Sequence, residues 1–342
     1  MAPNIESQGL PSHGDWRDQL FRDGYTIVKG VISPERAQTY VDRMLAWLES
    51  FPYGFDRQRK STWTAKHLPP NLKGGMYQGF AVQHEQFMWD ARQEPNVISA
   101  FAKLWGTSDL LVSFDAMNLT LPGTSTTKQT APWPHIDQNP SKPDLECVQG
   151  ILNLAPNGPK DGGLIVLQGS SILNEEFFKG QQKAWGGLDW YGFKSKDIKW
   201  FESRGCKWIK VCAEPGDLIL WDSRTIHHNT LPERDALRAA MYLCYTPASF
   251  ATQADLGRKA AFLSARIGTV RVSLSHSYME ITLIGYIPQS NWPHLAVPIA
   301  PSFSNGSFST DDHKLPYERS RPIEEPEETD LLLQLAGVIP YE

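Results

Sequence analysis

Pro132–Pro140 reads P-W-P-H-I-D-Q-N-P, and far downstream Trp221–Asn229 reads W-D-S-R-T-I-H-H-N. Proline favours extended backbone around itself, so His135 and Asp137 stand two apart on a strand and point to one face. An imidazole and a carboxylate so placed are two attachment points for a metal. His227 would supply a third, completing a 2-His-1-carboxylate triad suited to Fe(II) with positions left open for chemistry. His228, its neighbour on an extended chain, points to the other side. An isolated H-x-D also fits a surface turn or a hydrogen-bonded core histidine, and the context decides between them. Glu214–Asp217 reads as a turn, Leu218–Trp221 as an apolar strand, and Arg238 opens the apolar run L-R-A-A-M-Y-L-C-Y of Leu237–Tyr245. A polar loop over 229–235 and a returning strand would bring Arg238 back beside the metal, where a guanidinium can clamp a carboxylate through two hydrogen bonds.

The H-x-D, the distal His227, the following Arg238, the stretch G-G-L-I-V-L-Q-G-S (Gly162–Ser170) and the opening F-R-D-G-Y-T-I-V-K-G-V-I (Phe21–Ile32) together resemble the phytanoyl-CoA dioxygenase family of Fe(II)/2-oxoglutarate oxygenases. The likeness runs from Phe21 to about Thr269. It implies a mainly β fold with flanking helices, a double-stranded β-helix or cupin-like jelly roll, with the iron between the sheets. It further implies that His135, Asp137 and His227 hold Fe(II), that Arg238 binds the remote carboxylate of the 2-oxoglutarate co-substrate, and that O2 takes the remaining position. Many members carry a serine two residues after the distal histidine; here Asn229 stands in its place, and its amide can donate the same hydrogen bond. Gln149 and Asn153, on the strand after the H-x-D, are further candidates for contacting 2-oxoglutarate. Because Asp137 is retained, hydroxylation or desaturation is expected rather than halogenation.

Composition sets bounds. A 342-residue chain with a net charge of −5 has a core of ordinary size and no basic footprint for nucleic acid or an anionic membrane. Cys147, Cys206, Cys212 and Cys244 form no C-x-x-C pair and read as reduced thiols. The N-terminal stretch lacks a secretory pattern, and no apolar run reaches the length of about eighteen residues needed to cross a membrane. A cytoplasmic enzyme acting on a small-molecule substrate is the expectation.

Along the chain, residues 1–14 read as disordered, 15–300 as one catalytic domain and 301–342 as a C-terminal tail. Trp16–Arg22 is expected as a helix stopped by Gly24, and Tyr25–Val31 as a strand. Ser33 caps a helix that starts on Pro34 and runs to Glu49. The loop over Phe51–Phe80 is a place for substrate contacts, while His67 and His84, without ligand-spaced partners, read as structural. A further helix is expected over Asn96–Trp105, and a single strand over Leu110–Leu121. Over Glu146–Leu154 the alternation places Val148, Gly150, Leu152 and Leu154 on one face and Gln149, Ile151 and Asn153 on the other. Residues 172–205 read as a long insert, either covering the site or peripheral, and Gln253–Arg266 as a helix.

Val270–Gln289 has a different texture. Its removal would join Thr269 to Ser290 and restore a T-S-x-W-P-H pattern found in the resembling sequences. An opening on Val and a close on Gln is compatible with GT and CAG ends, a short intron read through in frame; a natural insertion is the alternative. The acidic run E-E-P-E-E-T-D reads as solvated, and the last apolar turn as a short helix docked either on the domain or on a second subunit of a homodimer. Two rival functions stand beside the oxygenase: a jelly-roll binding protein without redox chemistry, and a cupin-like metal enzyme without 2-oxoglutarate. Arg238 separates the second rival from the oxygenase.

Overall fold

The computed structural model describes residues 12–72, 75–124, 132–179, 189–269, 298–299, 317 and 319–342. The suspected insertion at 270–289, the first residues of the N-terminus and the start of the tail lie outside them.

Among the described residues, twelve strands build two facing antiparallel sheets. The strands are β1 (Tyr25–Val28), β2 (Met76–Tyr77), β3 (Leu110–Val112), β4 (Met117–Thr120), β5 (His135–Ile136), β6 (Val148–Asn153), β7 (Gly163–Gln168), β8 (Tyr191–Gly192), β9 (Lys207–Lys210), β10 (Leu218–Asp222), β11 (His227–Thr230) and β12 (Arg238–Pro247). The larger sheet has the order β1-β10-β6-β12-β4-β2, with β3 also paired to β12; the smaller has the order β8-β5-β11-β7-β9. This is the double-stranded β-helix, left open rather than closed into a barrel.

Period-two alternation sorts the side chains. Val148, Leu152, Leu218, Leu220, Met241 and Leu243 turn outward from the larger sheet into a core shared with helices, whereas Ile151, Ile219, Trp221 and Ala240 turn inward and meet Leu164 and Val166 of the smaller sheet. The helices covering the outward face are α1 (Trp16–Asp23), α2 (Pro34–Glu49), α3 (Gln86–Arg92) and α4 (Pro95–Trp105). Helix α2 begins where its caps dictate: the Ser33 hydroxyl accepts from Arg36 N–H and Pro34 opens the first turn. The smaller sheet is backed by α5 (Asn174–Lys179) and α6 (Ser195–Glu202), whose Phe177 and Phe201 pack with Ile136 and Leu167. Gly24 ends α1 at φ +82°, and a Cβ there would lie 2.3 Å from Thr225 Oγ1. Thr225 in turn donates to Gly24 O at 2.8 Å, fastening the turn that delivers His227.

Several expectations are corrected or extended by the structure. Leu110–Leu121 is two strands, because the Phe114 N–H leaves the ladder to bond Thr269 Oγ1 at 2.9 Å and Ser113 bonds the Asp115 carboxylate. The Phe51–Phe80 loop puts Phe51, Phe55, Leu68, Tyr77 and Phe80 into the helix-side core. The insert is not peripheral: its strand β8 pairs with β5, Gly192 opposite His135. The acidic run is exposed as expected, and it is also ion-paired, with Glu325 and Glu328 on Arg266 at 2.8 and 3.2 Å. Arg266 is buried and requires a counter-charge. The chain end docks on this same domain through α7 (Asp330–Leu335), whose Leu332 and Leu335 are buried in the main core.

Candidate metal centre

The three residues singled out by spacing converge. Strand β11 pairs with β5 so that His227 stands opposite His135, and Asp137 follows directly, its N–H held by Ser223 O at 2.9 Å. One ligand atom from each of His135, Asp137 and His227 lies within 4.8 Å of the others, and all three residues are buried. His227 Nε2 is 3.2 Å from Asp137 Oδ2, and His135 Nε2 is 3.7 Å from Asp137 Oδ1. On the far side of each ring Nδ1 meets a main-chain carbonyl, Trp133 O at 3.0 Å for His135 and Thr225 O at 2.9 Å for His227. A carbonyl only accepts, so each Nδ1 carries the proton and each Nε2 turns a lone pair toward the cluster. This donor set, two neutral imidazoles and one carboxylate, suits Fe(II). His228 projects to the opposite face, its ring 5.1 Å from Trp208, and burial lowers its proton affinity.

Arg238 shares the inward face of β12 with Ala240, and its guanidinium reaches across to the other sheet: a Cβ on Gly163 would lie 3.5 Å from its Nε. Gly163, at φ +140°, therefore both makes the turn into β7 and leaves room for that side chain. Arg238 Nε is buried with no hydrogen-bond partner among the described residues. Nearby Lys210 donates to Asn157 Oδ1 at 2.5 Å, and its proton affinity is lowered by burial first, with the Arg238 charge contributing. Arg238, with its unsatisfied donor between the sheets and the Lys210 charge nearby, is matched to an anionic ligand rich in acceptor oxygens. Trp221 Nε1, beside His227 with ring centroids 5.6 Å apart, is a second buried donor without a partner among the described residues. These orphans are the features a dicarboxylate such as 2-oxoglutarate would satisfy. Asn229 lies on the His227 side of β11 in register with Leu164, and its side chain is exposed.

The structure uses two of the expected co-substrate contacts otherwise. Gln149 Nε2 donates to Asp137 Oδ2 at 3.0 Å and lies 3.3 Å from Ser223 Oγ, so it orients the metal-facing carboxylate. Asn153 Nδ2 donates to the carbonyls of Ala155, Ala213 and Glu214 at 2.7, 3.1 and 3.0 Å, which ties the Glu214–Asp217 turn to β6. That amide has no N–H left for a ligand.

Two aromatic residues at the site were not picked out from sequence. Trp133 stacks on His135 with centroids 4.1 Å apart and planes 6° apart, and Trp190 lies 6.3 Å from the same ring. Trp133 was visible inside the quoted motif; Trp190, within the insert, carried no local signal.

Comparison with known proteins places this geometry. The family model described as Phytanoyl-CoA dioxygenase (PhyH) matches residues 20–230. "Ava biosynthesis cluster protein O" of Aspergillus versicolor is 48% identical over 254 residues, 72% of this chain and 82% of that protein. A "Putative phytanoyl-CoA dioxygenase" of Dictyostelium discoideum is 23% identical over 264 residues, 67% of this chain and 74% of that one. Among solved structures, the epimerase SnoN in complex with Fe3+, alpha ketoglutarate and nogalamycin RO aligns with a TM-score of 0.49 at 18% identity, covering 68% of this chain and 82% of that one.

Proposed function

The chain belongs to the phytanoyl-CoA dioxygenase family, and from that premise we propose that it is an Fe(II)- and 2-oxoglutarate-dependent oxygenase that hydroxylates or desaturates a small organic substrate in secondary metabolism. The observation that carries the reading is the buried His135–Asp137–His227 cluster standing in the same inter-sheet space as the partnerless Arg238 Nε. Iron held by that cluster supplies, with 2-oxoglutarate and O2, the oxidant for an otherwise unreactive C–H bond. The name of the A. versicolor relative, a biosynthesis cluster protein, supports the secondary-metabolic setting.

The chain's own residues have separable tasks. His135 and His227 present Nε2 lone pairs because their Nδ1 protons are fixed on main-chain carbonyls. Gln149 holds one carboxylate oxygen of Asp137, restricting its rotation. Arg238 offers the fixed fork that matches a carboxylate. Asn229, exposed two residues beyond His227, offers an amide donor to the same co-substrate. Ile151, Leu164, Val166 and Ile219 line the inter-sheet space with hydrocarbon, excluding water and strengthening the charged contacts within it.

The test is release of succinate from 2-oxoglutarate by the Fe(II)-loaded protein across a substrate panel, with mass spectrometry for the gain of one oxygen atom or the loss of two hydrogens. His135→Ala and Asp137→Ala should lose stoichiometric iron and turnover, and His228→Ala should keep iron. Undiminished iron affinity in the first two variants would overturn the reading.

A further inference from the structure

Two indole rings flank the His135 edge of the cluster, and both are built into place. Trp133 lies flat on the His135 imidazole, its main-chain carbonyl fixing the same ring from behind. Trp190 immediately precedes β8, whose Gly192 stands in register with His135. A Cβ on Gly192 would lie 2.7 Å from Trp190 Cη2, so the glycine opens the space in which the indole lies beside the site. Both indoles are only half-buried, yet Trp190 Nε1 is itself buried and has no hydrogen-bond partner among the described residues. A donor in that condition is unfavourable unless a ligand accepts from it. Arg238 and Trp221 offer their unsatisfied donors between the sheets, whereas Trp133 and Trp190 stand at His135, where a substrate would approach the metal-facing edge.

Resting on the oxygenase reading, we propose that the substrate is a planar aromatic molecule carrying a carbonyl oxygen, held by the Trp133 and Trp190 indoles with the carbonyl accepting from Trp190 Nε1–H. Indole faces select flat π-systems over saturated rings of equal size through their quadrupoles, and the N–H adds a directional contact. Gly192 is then a specificity residue, because any side chain there moves the Trp190 ring.

The experiment is anaerobic titration calorimetry on the full chain loaded with Fe(II) and 2-oxoglutarate, with 2-quinolone as the planar lactam probe and its fully saturated bicyclic lactam as the control. The planar probe should bind about tenfold or more tightly than the control, on the scale of aromatic-pair and hydrogen-bond contributions. Trp190→Phe, which keeps a ring and removes the N–H, should weaken the planar probe about fivefold. Trp133→Leu and Gly192→Ala should narrow the difference between probe and control. Equal affinity for the two lactams, an undiminished affinity for the planar probe in Trp190→Phe, or a preference unchanged in Gly192→Ala, would overturn the proposal. Heat of 2-oxoglutarate binding to the wild-type protein, recorded before either lactam is added, reports the oxygenase reading separately: its absence sinks that reading, and its presence with no lactam discrimination sinks only this one.

Discussion

Replacing Arg238 by Met separates stability from co-substrate binding. In the ligand-free protein Arg238 Nε is buried and partnerless, and an unsatisfied buried donor costs about 1–3 kcal/mol. Methionine fills similar space without that donor, so the ligand-free variant should be more stable by about 1 kcal/mol, the low end of that range because Nε is the one atom concerned. For a chain of this size the midpoint should rise by about 2 °C. With 2-oxoglutarate present the order should invert. A bidentate guanidinium–carboxylate pair contributes about 3 kcal/mol, so its loss raises the dissociation constant about a hundredfold. At a concentration a hundred times the wild-type constant, ligand stabilises the wild type by about 2.7 kcal/mol and the variant by about 0.4 kcal/mol. The assay is anaerobic thermal unfolding of both iron-loaded proteins with and without 2-oxoglutarate. A variant that melts lower than the wild type without ligand, and shifts as much with it, would refute both the orphan-donor argument and the clamp.

Gln149→Leu should weaken Fe(II) binding by about ten- to a hundredfold, as expected when a hydrogen bond to a metal ligand is removed; if an iron titration is unchanged while the 2-oxoglutarate requirement rises, Gln149 belongs to the co-substrate instead. Asn153→Ala leaves three carbonyls without their donor and should cost about 2–3 kcal/mol in denaturant unfolding, with no change in the 2-oxoglutarate KM of the folded fraction; a raised KM at full stability would contradict this. For the segment 270–289 we propose a retained intron outside the catalytic core, so its deletion should preserve or improve soluble yield and turnover, and a deletion variant that fails to fold would rule this out.

Some of this protein is written locally and was legible as such. The Ser33–Pro34 start of α2 and the Gly24 stop of α1 depend on backbone groups within a few residues. The two faces of β6 follow from a period of two, which holds wherever the strand lies. The same period puts His135 and Asp137 on one side and sets His227 apart from His228. The sequence could therefore name the residues of the cluster, and the family resemblance could join them across the gap. Tertiary structure alone decided what each remaining polar group does, because that depends on which partner arrives from elsewhere. Gln149 and Asn153 share one face of one strand, yet one meets Asp137 and Ser223 while the other meets the carbonyls of Ala155, Ala213 and Glu214. The outcome is set by the register of β10 against β6, fixed by burial of the whole sheet. The break in Leu110–Leu121 likewise required Thr269 to approach from a distant segment. Trp190 comes to His135 because β8 pairs with β5 across an insert whose composition says nothing of its destination. Local stereochemistry fixes the direction of a side chain; long-range pairing fixes what it meets there.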